Sequence, residues 1–289
     1  MVAKNNMQRI GIIAKQDDAF ALKTACELSA WLQAKDLQVH VTPQIGEHSK
    51  AKVTPLENMA KHIELMVVLG GDGTLLQTGR CFVGSGVPIL GINLGRLGFL
   101  TDTPLSNMFD VMAEVLAGQF KVKKHFALHA EIIHQGNIIS SGIAMNDVVL
   151  QRNDHPRMIE FEMFARDKFV FRLRADGLVL ATPAGSTAYA LSAGGAIVHP
   201  EIEAISVVPI CPHTVSNRPI MLPANDVIKL NLIDSPAPAA LNLDGQVHST
   251  LNMGDSVSVK RAGDITLVYL EHWHYFDVLR NKLGWAGQQ

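Results

Sequence analysis

No stretch of this chain limits its possible folds as much as Gly70-Gly71-Asp72-Gly73-Thr74, which follows a continuous apolar run at 65–69. A short unbroken apolar run ending in glycine reads as a buried parallel strand. Residues 74–82 read as the helix that follows it. Strands at 9–14, 37–42 and 87–92 alternate with helices at 18–35 and 105–116. The first helix carries Ala21, Leu22, Ala25, Leu28, Trp31 and Leu32 at roughly helical spacing. Strand and helix in alternation imply an α/β layer around a parallel sheet.

The texture changes near residue 122. Beyond it, alternating segments at 127–134, 138–143, 147–152, 158–165, 169–174, 227–233, 256–261 and 264–270 read as antiparallel strands. Gly136-Asn137, Asp167-Lys168 and Gly263-Asp264 read as turns between them. Residues 177–182 form a strand and 187–193 a short helix between glycine-rich turns. The tail 275–285 is helical again. The expected architecture is a Rossmann-like α/β domain at 1–122 and a predominantly β, sandwich-like domain at 123–270. The tail at 271–289 returns to the first domain.

Composition removes several function classes. The 289 residues carry 25 Lys plus Arg against 27 Asp plus Glu, a net charge of −2, so no global field attracts nucleic acid. No run approaches the ~20 apolar residues that cross a bilayer. Cys26, Cys81 and Cys211 are far apart and odd in number. They build neither a disulfide framework nor a cysteine zinc site, and they suit a reducing cytoplasm. His272 and His274 share a strand face but lack a third ligand at zinc-like spacing.

The glycine turn is built for an anion. Glycines let the backbone bend and let phosphate approach N–H groups at a helix start, where Thr74 is a candidate cap. Asp72 is the anomaly, because a carboxylate repels phosphate unless it serves an acceptor hydroxyl or a metal. Phosphoryl transfer needs both a phosphate seat and a nearby carboxylate. The plainer reading is a tight turn with Asp72 assisting the cap. A P-loop is excluded, since Leu75-Leu76-Gln77 stand where Gly-Lys-Ser/Thr belongs. A dinucleotide fingerprint fails at Leu76.

Three further sites carry polar chemistry. Arg174 and Asp176, two apart on one strand, precede Gly185-Ser186-Thr187 and Tyr189, a second anion-ready turn rich in hydroxyls. It is no nucleophile elbow, because Ala184 and Ala188 occupy the glycine positions. Asn146-Asp147 sets an amide beside a carboxylate, a pair able to read a base edge and a ribose diol. Asp244-Gly245-Gln246 reads as a hairpin turn.

Taken in order, these motifs resemble the NAD kinases, which make NADP from NAD and ATP. The match takes in Gly70-Gly71-Asp72-Gly73-Thr74, then Gly91-Ile92-Asn93-Leu94-Gly95-Arg96-Leu97-Gly98-Phe99-Leu100. Asn146-Asp147, Arg174-Ala175-Asp176-Gly177, Thr182-Pro183-Ala184-Gly185-Ser186-Thr187-Ala188-Tyr189 and Asp244-Gly245-Gln246 follow. Ala184 departs from the threonine usual in the family. Lys282-Leu283-Gly284-Trp285 looks like the bacterial branch. The first motif alone is shared with diacylglycerol and sphingosine kinases, so a lipid kinase is one alternative. A non-catalytic nucleotide sensor on the same fold is another.

The resemblance implies that Asp72 is catalytic and faces the adenosine-ribose hydroxyl. It implies NAD binding by Asp72, Gly73, Asn146, Asp147, Arg157, Arg174, Asp176 and Gln246. The run Thr187, Ala188, Tyr189, Ala190, Leu191 and Ser192 belongs to the same site. Gly70, Gly71, Gly73 and Thr74 are left to seat the ATP phosphates. No protein metal ligands are visible, and Mg²⁺ is expected to ride on the ATP phosphates. The family further implies a cytoplasmic homo-oligomer, a dimer or tetramer.

Overall fold

The computed structural model describes residues 7–95, 98–153, 156–214 and 216–285. Arg96 and Leu97 of the resemblance motif, and the last four residues of the tail, lie outside that range. The chain divides into two units: Met1–Lys124 with Asp264–Gln289, and His125–Gly263.

In the first unit, β1 (Arg9–Ala14), α1 (Ala19–Gln33) and β2 (Gln38–Val41) lead into a short helix α2 (Pro43–Gly46). β3 (Lys52–Val53) and a short helix α3 (Leu56–Met59) follow. Next come β4 (Leu65–Gly70), α4 (Asp72–Phe82), β5 (Pro88–Asn93), β6 (Thr103–Pro104) and α5 (Met108–Leu116). The parallel sheet runs β5-β4-β1-β2-β3. All six residues of β4 are buried, as its unbroken apolar run requires. Asp18 starts α1 by accepting from the backbone N–H of Phe20 and Ala21, both at 3.1 Å.

The chain enters the second unit along β7 (Lys121–His134) and continues through β8 (Asn137–Ala144), β9 (Asp147–Gln151), β10 (Ile159–Ala165) and β11 (Lys168–Ala175). After β12 (Gly177–Ala181) comes a 3₁₀ turn at Gly185–Thr187 and the short helix α6 (Tyr189–Ser192). β13 (Ala204–Ile210), β14 (Ile220–Pro223), β15 (Ile228–Asp234), β16 (Ala239–Leu243) and β17 (Val247–Leu251) follow. β18 (Ser256–Tyr269) leads back to the first unit, which ends with α7 (Tyr275–Leu283). One antiparallel sheet runs β14-β13-β12-β9-β16-β17. β11, β10, β15 and β18 form a second antiparallel set. Phe161, Leu150, Leu180, Leu230 and Val257 belong to one buried cluster shared by the two.

Three turn expectations are corrected. The β7–β8 hairpin turns at Gln135-Gly136 and the β10–β11 hairpin at Arg166-Asp167, one residue earlier than read. Both pairs have positive φ at each residue, as a two-residue type I′ turn demands. Gly263-Asp264 is not a turn, since β18 runs through it unbroken. The expected boundaries after 122 and 270 therefore compare with unit divisions at 124/125 and 263/264.

Candidate active site

Strand β4 ends in Gly70, Gly71 caps the start of α4, and Asp72 is its first residue. A carboxylate in this first turn is favoured by the helix dipole. Thr74 lies inside α4 and makes no cap hydrogen bond, which corrects the expected capping role. Its side chain instead lies over Gly70, where an added Cβ would stand 2.4 Å from Thr74 Oγ1.

The carboxylate of Asp72 is held by a loop 27 to 29 residues away. Oδ2 accepts from the Phe99 N–H at 2.8 Å. Oδ1 accepts from the N–H of Leu100 at 3.1 Å, the N–H of Thr101 at 3.0 Å and the Thr101 hydroxyl at 2.9 Å. Buried Asn93, at the end of β5, donates to Thr101 Oγ1 at 2.9 Å and fixes that hydroxyl's direction. Gly98 makes room for the clamp, because a Cβ there would fall 1.9 Å from Asp72 Oδ1. The load is uneven: three bonds reach Oδ1 and one reaches Oδ2. A carboxylate oxygen has about two lone-pair sites, so Oδ2 is the better placed to accept one more hydroxyl.

A second carboxyl lies behind the first. Asp102 Oδ2 is buried without a hydrogen-bond partner among the described residues. Burial pushes the Asp102 carboxyl up to about 7, and the Asp72 charge adds to the rise. The Trp273 indole beside it pulls the other way without reaching hydrogen-bond geometry. The buried Tyr269 phenol, 4.1 Å from the Trp273 ring between centroids, is held neutral by burial and by both carboxyls.

In the second unit, Asp147 opens β9, and Asp147, Val149 and Gln151 share one face by strand alternation. Val148 and Leu150 point into the main core. The face bearing Val149 is covered in part by Ala190 of α6, which packs with Val149, Val179 and Ala181. That packing brings Tyr189 and Ala188 beside the Asp147 end of β9. Asn242 stands opposite both Val149 and His248 in the ladder, extending the same row.

The result is a cavity of about 440 Å³ lined by Asn146, Asp147, Gln151, Tyr189, Asn242 and His248 among others. Its size falls within the usual range for small-molecule sites. Asn242 Oδ1 is hydrogen-bonded to His248 Nδ1. Asp244 turns the β16–β17 hairpin with φ 54° and also clamps the site. It accepts from the N–H of Met145 at 3.0 Å, Asn146 at 2.7 Å and Asp147 at 3.2 Å. Burial raises the Asp147 carboxyl to about 7, with the Asp244 charge adding to it. Asn146 Oδ1 is buried and has no hydrogen-bond partner among the described residues. A buried orphan acceptor of this kind calls for a ligand or water donor. Gly185 permits the close approach here, since a Cβ would lie 2.0 Å from the Asn146 carbonyl oxygen.

The expected residues divide accordingly. Gly70, Gly71, Asp72, Gly73 and Thr74 form one corner of the first unit, while Asn146, Asp147, Ala188 and Tyr189 meet in the cavity of the second. Arg157, Arg174, Asp176, Thr187, Leu191, Ser192 and Gln246 are not among its lining. Ala190 is fully buried and offers no surface to a ligand. Asp176 lies between β11 and β12, so it does not share a strand face with Arg174 as expected. It pairs with Arg152, Nε to Oδ1 2.7 Å. The Ser186 hydroxyl is fully buried and spent on the Pro183 carbonyl and the Val198 N–H. Sequence reasoning missed Gln151, Asn242 and His248. For Gln151 the signal was its spacing of four from Asp147.

Comparison with known proteins follows the same division. Residues 10–120 match a family model for the ATP-NAD kinase N-terminal domain, and residues 145–268 one for the C-terminal domain. The NAD kinase of Thiobacillus denitrificans is 41% identical over 281 residues, 96% of this chain and 97% of its own. That of Magnetococcus marinus is 38% identical over 286 residues, 97% and 94%. The crystal structure of yeast NADH kinase complexed with NADH is similar at TM-score 0.90 and 29% identity, covering 99% of this chain and 90% of that one. An NAD kinase from Archaeoglobus fulgidus in complex with ATP shares the fold at TM-score 0.74 and 22% identity, covering 96% and 97%. With both domain models matched in order and relatives alike over nearly the whole length, the chain belongs to the NAD kinase family.

Proposed function

We propose that the protein transfers the γ-phosphoryl group of ATP to the 2′-hydroxyl of the adenosine ribose of NAD, giving NADP and ADP. The observation that carries the reading is a carboxylate, Asp72, at the mouth of an anion-accepting helix start, with one oxygen less occupied than the other. In the reaction the 2′-oxygen bonds to the γ-phosphorus, the bond from that phosphorus to the β,γ-bridging oxygen breaks, and the hydroxyl proton passes to Asp72 Oδ2 and from there to water. Asp72 Oδ2 accepts the hydroxyl hydrogen bond and orients the oxygen. A loose, metaphosphate-like transition state asks little of a base and much of position, so the clamp suits the task.

Gly70, Gly71, Gly73 and Thr74 seat the phosphates at the first turn of α4, where backbone N–H groups and the helix dipole favour anions. A Cβ on Gly71 would meet nothing within 4 Å, so its bareness leaves space for a ligand rather than for the chain. In the second unit, Asn146 and Asp147 take the polar edge of the dinucleotide and Tyr189 one flat face. Mg²⁺ enters as a cation carried on the ATP phosphates. No protein ligand is assigned to it.

The lipid-kinase and sensor alternatives lose their ground, since the curated relatives carry the NAD kinase name over nearly the full chain. No helix among the described residues is long and apolar enough to cross a membrane. The same reading makes the protein a cytoplasmic homo-oligomer. Three free cysteines and the exposed apolar Ile138, Ile139 and Phe169 of the second unit support it. Incubation with ATP labelled at the γ-phosphate, and either NAD or diacylglycerol vesicles, tests the function. Label in the dinucleotide supports it, and label in lipid or in neither acceptor removes it.

A further inference from the structure

Two buried polar atoms behind Asp72 have no hydrogen-bond partner among the described residues. One is Asp102 Oδ2, an acceptor, and the other is the Trp273 indole nitrogen, whose N–H can only donate. The indole lies close enough to act on the carboxyl, yet no hydrogen bond joins them. Neither group takes part in the transfer as assigned to Asp72.

Asp102 continues the strip that clamps Asp72. Thr101, its neighbour, gives Asp72 Oδ1 both its N–H and its hydroxyl. The strip also rests on β5. Asn93 donates to the Thr101 hydroxyl at 2.9 Å, and Gly91 is bare where a Cβ would stand 3.2 Å from the Thr101 Cα. Directly beyond Asp102, Thr103 pairs with Ile92. A shift of Asp102 therefore reaches the Asp72 clamp through one peptide unit. Trp273 belongs to the segment between β18 and α7. Its ring packs on Tyr269, 4.1 Å between centroids, and Lys123 Nζ stands 4.8 Å from its centre. Lys282 of α7 stands 5.8 Å over the ring of Phe99, whose N–H holds Asp72 Oδ2. The tail thus meets the clamp strip at two points, Asp102 and Phe99.

The surroundings of Asp102 set which form it takes. Burial opposes its ionisation, as does Asp72 on α4, while the Trp273 N–H favours it. Tyr269 on β18 is held neutral by burial, and Lys123 on β7 and Lys282 on α7 stand over the Trp273 and Phe99 rings. With its proton, Asp102 leaves the negative charge of this corner on Asp72. Without it, the indole N–H is the donor at hand for Oδ2. A charge-assisted bond then draws the strip towards the tail and away from Asp72.

We propose that Asp102 and Trp273 are positioning residues for the transfer, forming a latch whose closure loosens the clamp and turns Asp72 Oδ2 away from the acceptor hydroxyl. This rests on the reading of Asp72 as the group that orients that hydroxyl. Turnover with ATP and NAD is measured from about pH 6 to about pH 9 in the wild type, Asp102→Asn and Trp273→Phe. Asp102 holds its proton up to about 7, so wild-type kcat should fall severalfold above that pH, with KM changing less. Asp102→Asn cannot ionise, and its kcat should be flat over the range. Trp273→Phe keeps a ring but removes the donor to the ionised form, so its fall should begin about one pH unit higher. The Trp273 indole signal in heteronuclear NMR, assigned by its loss in Trp273→Phe, should titrate with the wild-type midpoint and stay fixed in Asp102→Asn. A wild-type pH limb retained unmoved in either folded variant overturns the latch, and so does an indole signal that ignores pH in the wild type. Absence of NADP at every pH would instead overturn the functional reading, while the indole titration would still decide whether the latch closes.

Discussion

Replacing Asp72 by asparagine separates its two roles, hydroxyl acceptor and loop anchor. The asparagine keeps one oxygen and turns an NH₂ group towards N–H donors. If the oxygen takes the three-bond position, the Phe99 N–H at 2.8 Å loses its acceptor and the remaining bonds lose their charge assistance. An unsatisfied donor costs ~1–3 kcal/mol. With the weakened partners, the variant should lose about 2–3 kcal/mol of stability. That lowers the melting temperature by roughly 4–12 °C in a unit of this size. Turnover should fall ~10²–10⁴-fold, or about 3–5.5 kcal/mol of barrier, because the group aligning the acceptor hydroxyl changes. Thr101→Val is the control: it deletes the 2.9 Å hydroxyl bond to Oδ1 but keeps the carboxylate. It should cost about 1–2 kcal/mol of stability and less than about tenfold in turnover. Calorimetric melting and steady-state NADP formation on both variants provide the data. Near-normal turnover in Asp72→Asn refutes the catalytic role, and equal turnover losses in the two variants reduce Asp72 to a loop anchor.

Further expectations follow from the same two sites. Asp102 and Asp147 are raised in the folded state to about 7 from an ordinary value near 4, so their protonated forms favour folding. Their contribution is complete below about pH 4 and is lost as pH climbs through about 7, at most ~4 kcal/mol each. Asp102→Asn and Asp147→Asn should therefore flatten the fall in melting temperature between pH 5 and 8. A slope equal to the wild type's in both would discard the assignment. Gly98→Ala drives a methyl to within 1.9 Å of Asp72 Oδ1 and should cost ~1–3 kcal/mol together with most of the turnover, seen in melts and rates on one preparation. Arg174 is exposed and makes no ion pair to another described residue. If it contacts a dinucleotide phosphate, Arg174→Ala weakens NAD and NADP binding roughly ten- to hundredfold and leaves the unliganded melting temperature unchanged. Unaltered calorimetric affinities would return it to the surface.

The parallel sheet was legible because its signals are local. An unbroken apolar run at 65–69 and a helical stripe after Asp18 depend only on neighbouring residues. The clamp on Asp72 was not legible, since its donors are mostly backbone N–H groups that every residue type carries. Gly98 left only the bare trace of one more glycine. The β10–β11 turn was read one residue late, because Arg166 gives no composition signal for the positive φ it adopts. Gly263-Asp264 had turn composition, yet paired strands hold it extended within β18. In the second unit, Asn146-Asp147 could be read as a polar pair. Asn242 and His248 could not, since only strand register sets them beside β9.

The central claim, phosphorylation of NAD at the expense of ATP, is tested most directly by supplying the purified protein with ATP, Mg²⁺ and NAD. The product is then quantified with a dehydrogenase that accepts NADP and rejects NAD. NADP and ADP should appear in equal amounts, and omission of either substrate should abolish both. ADP formed without NADP, or no reaction in the complete mixture, would contradict it.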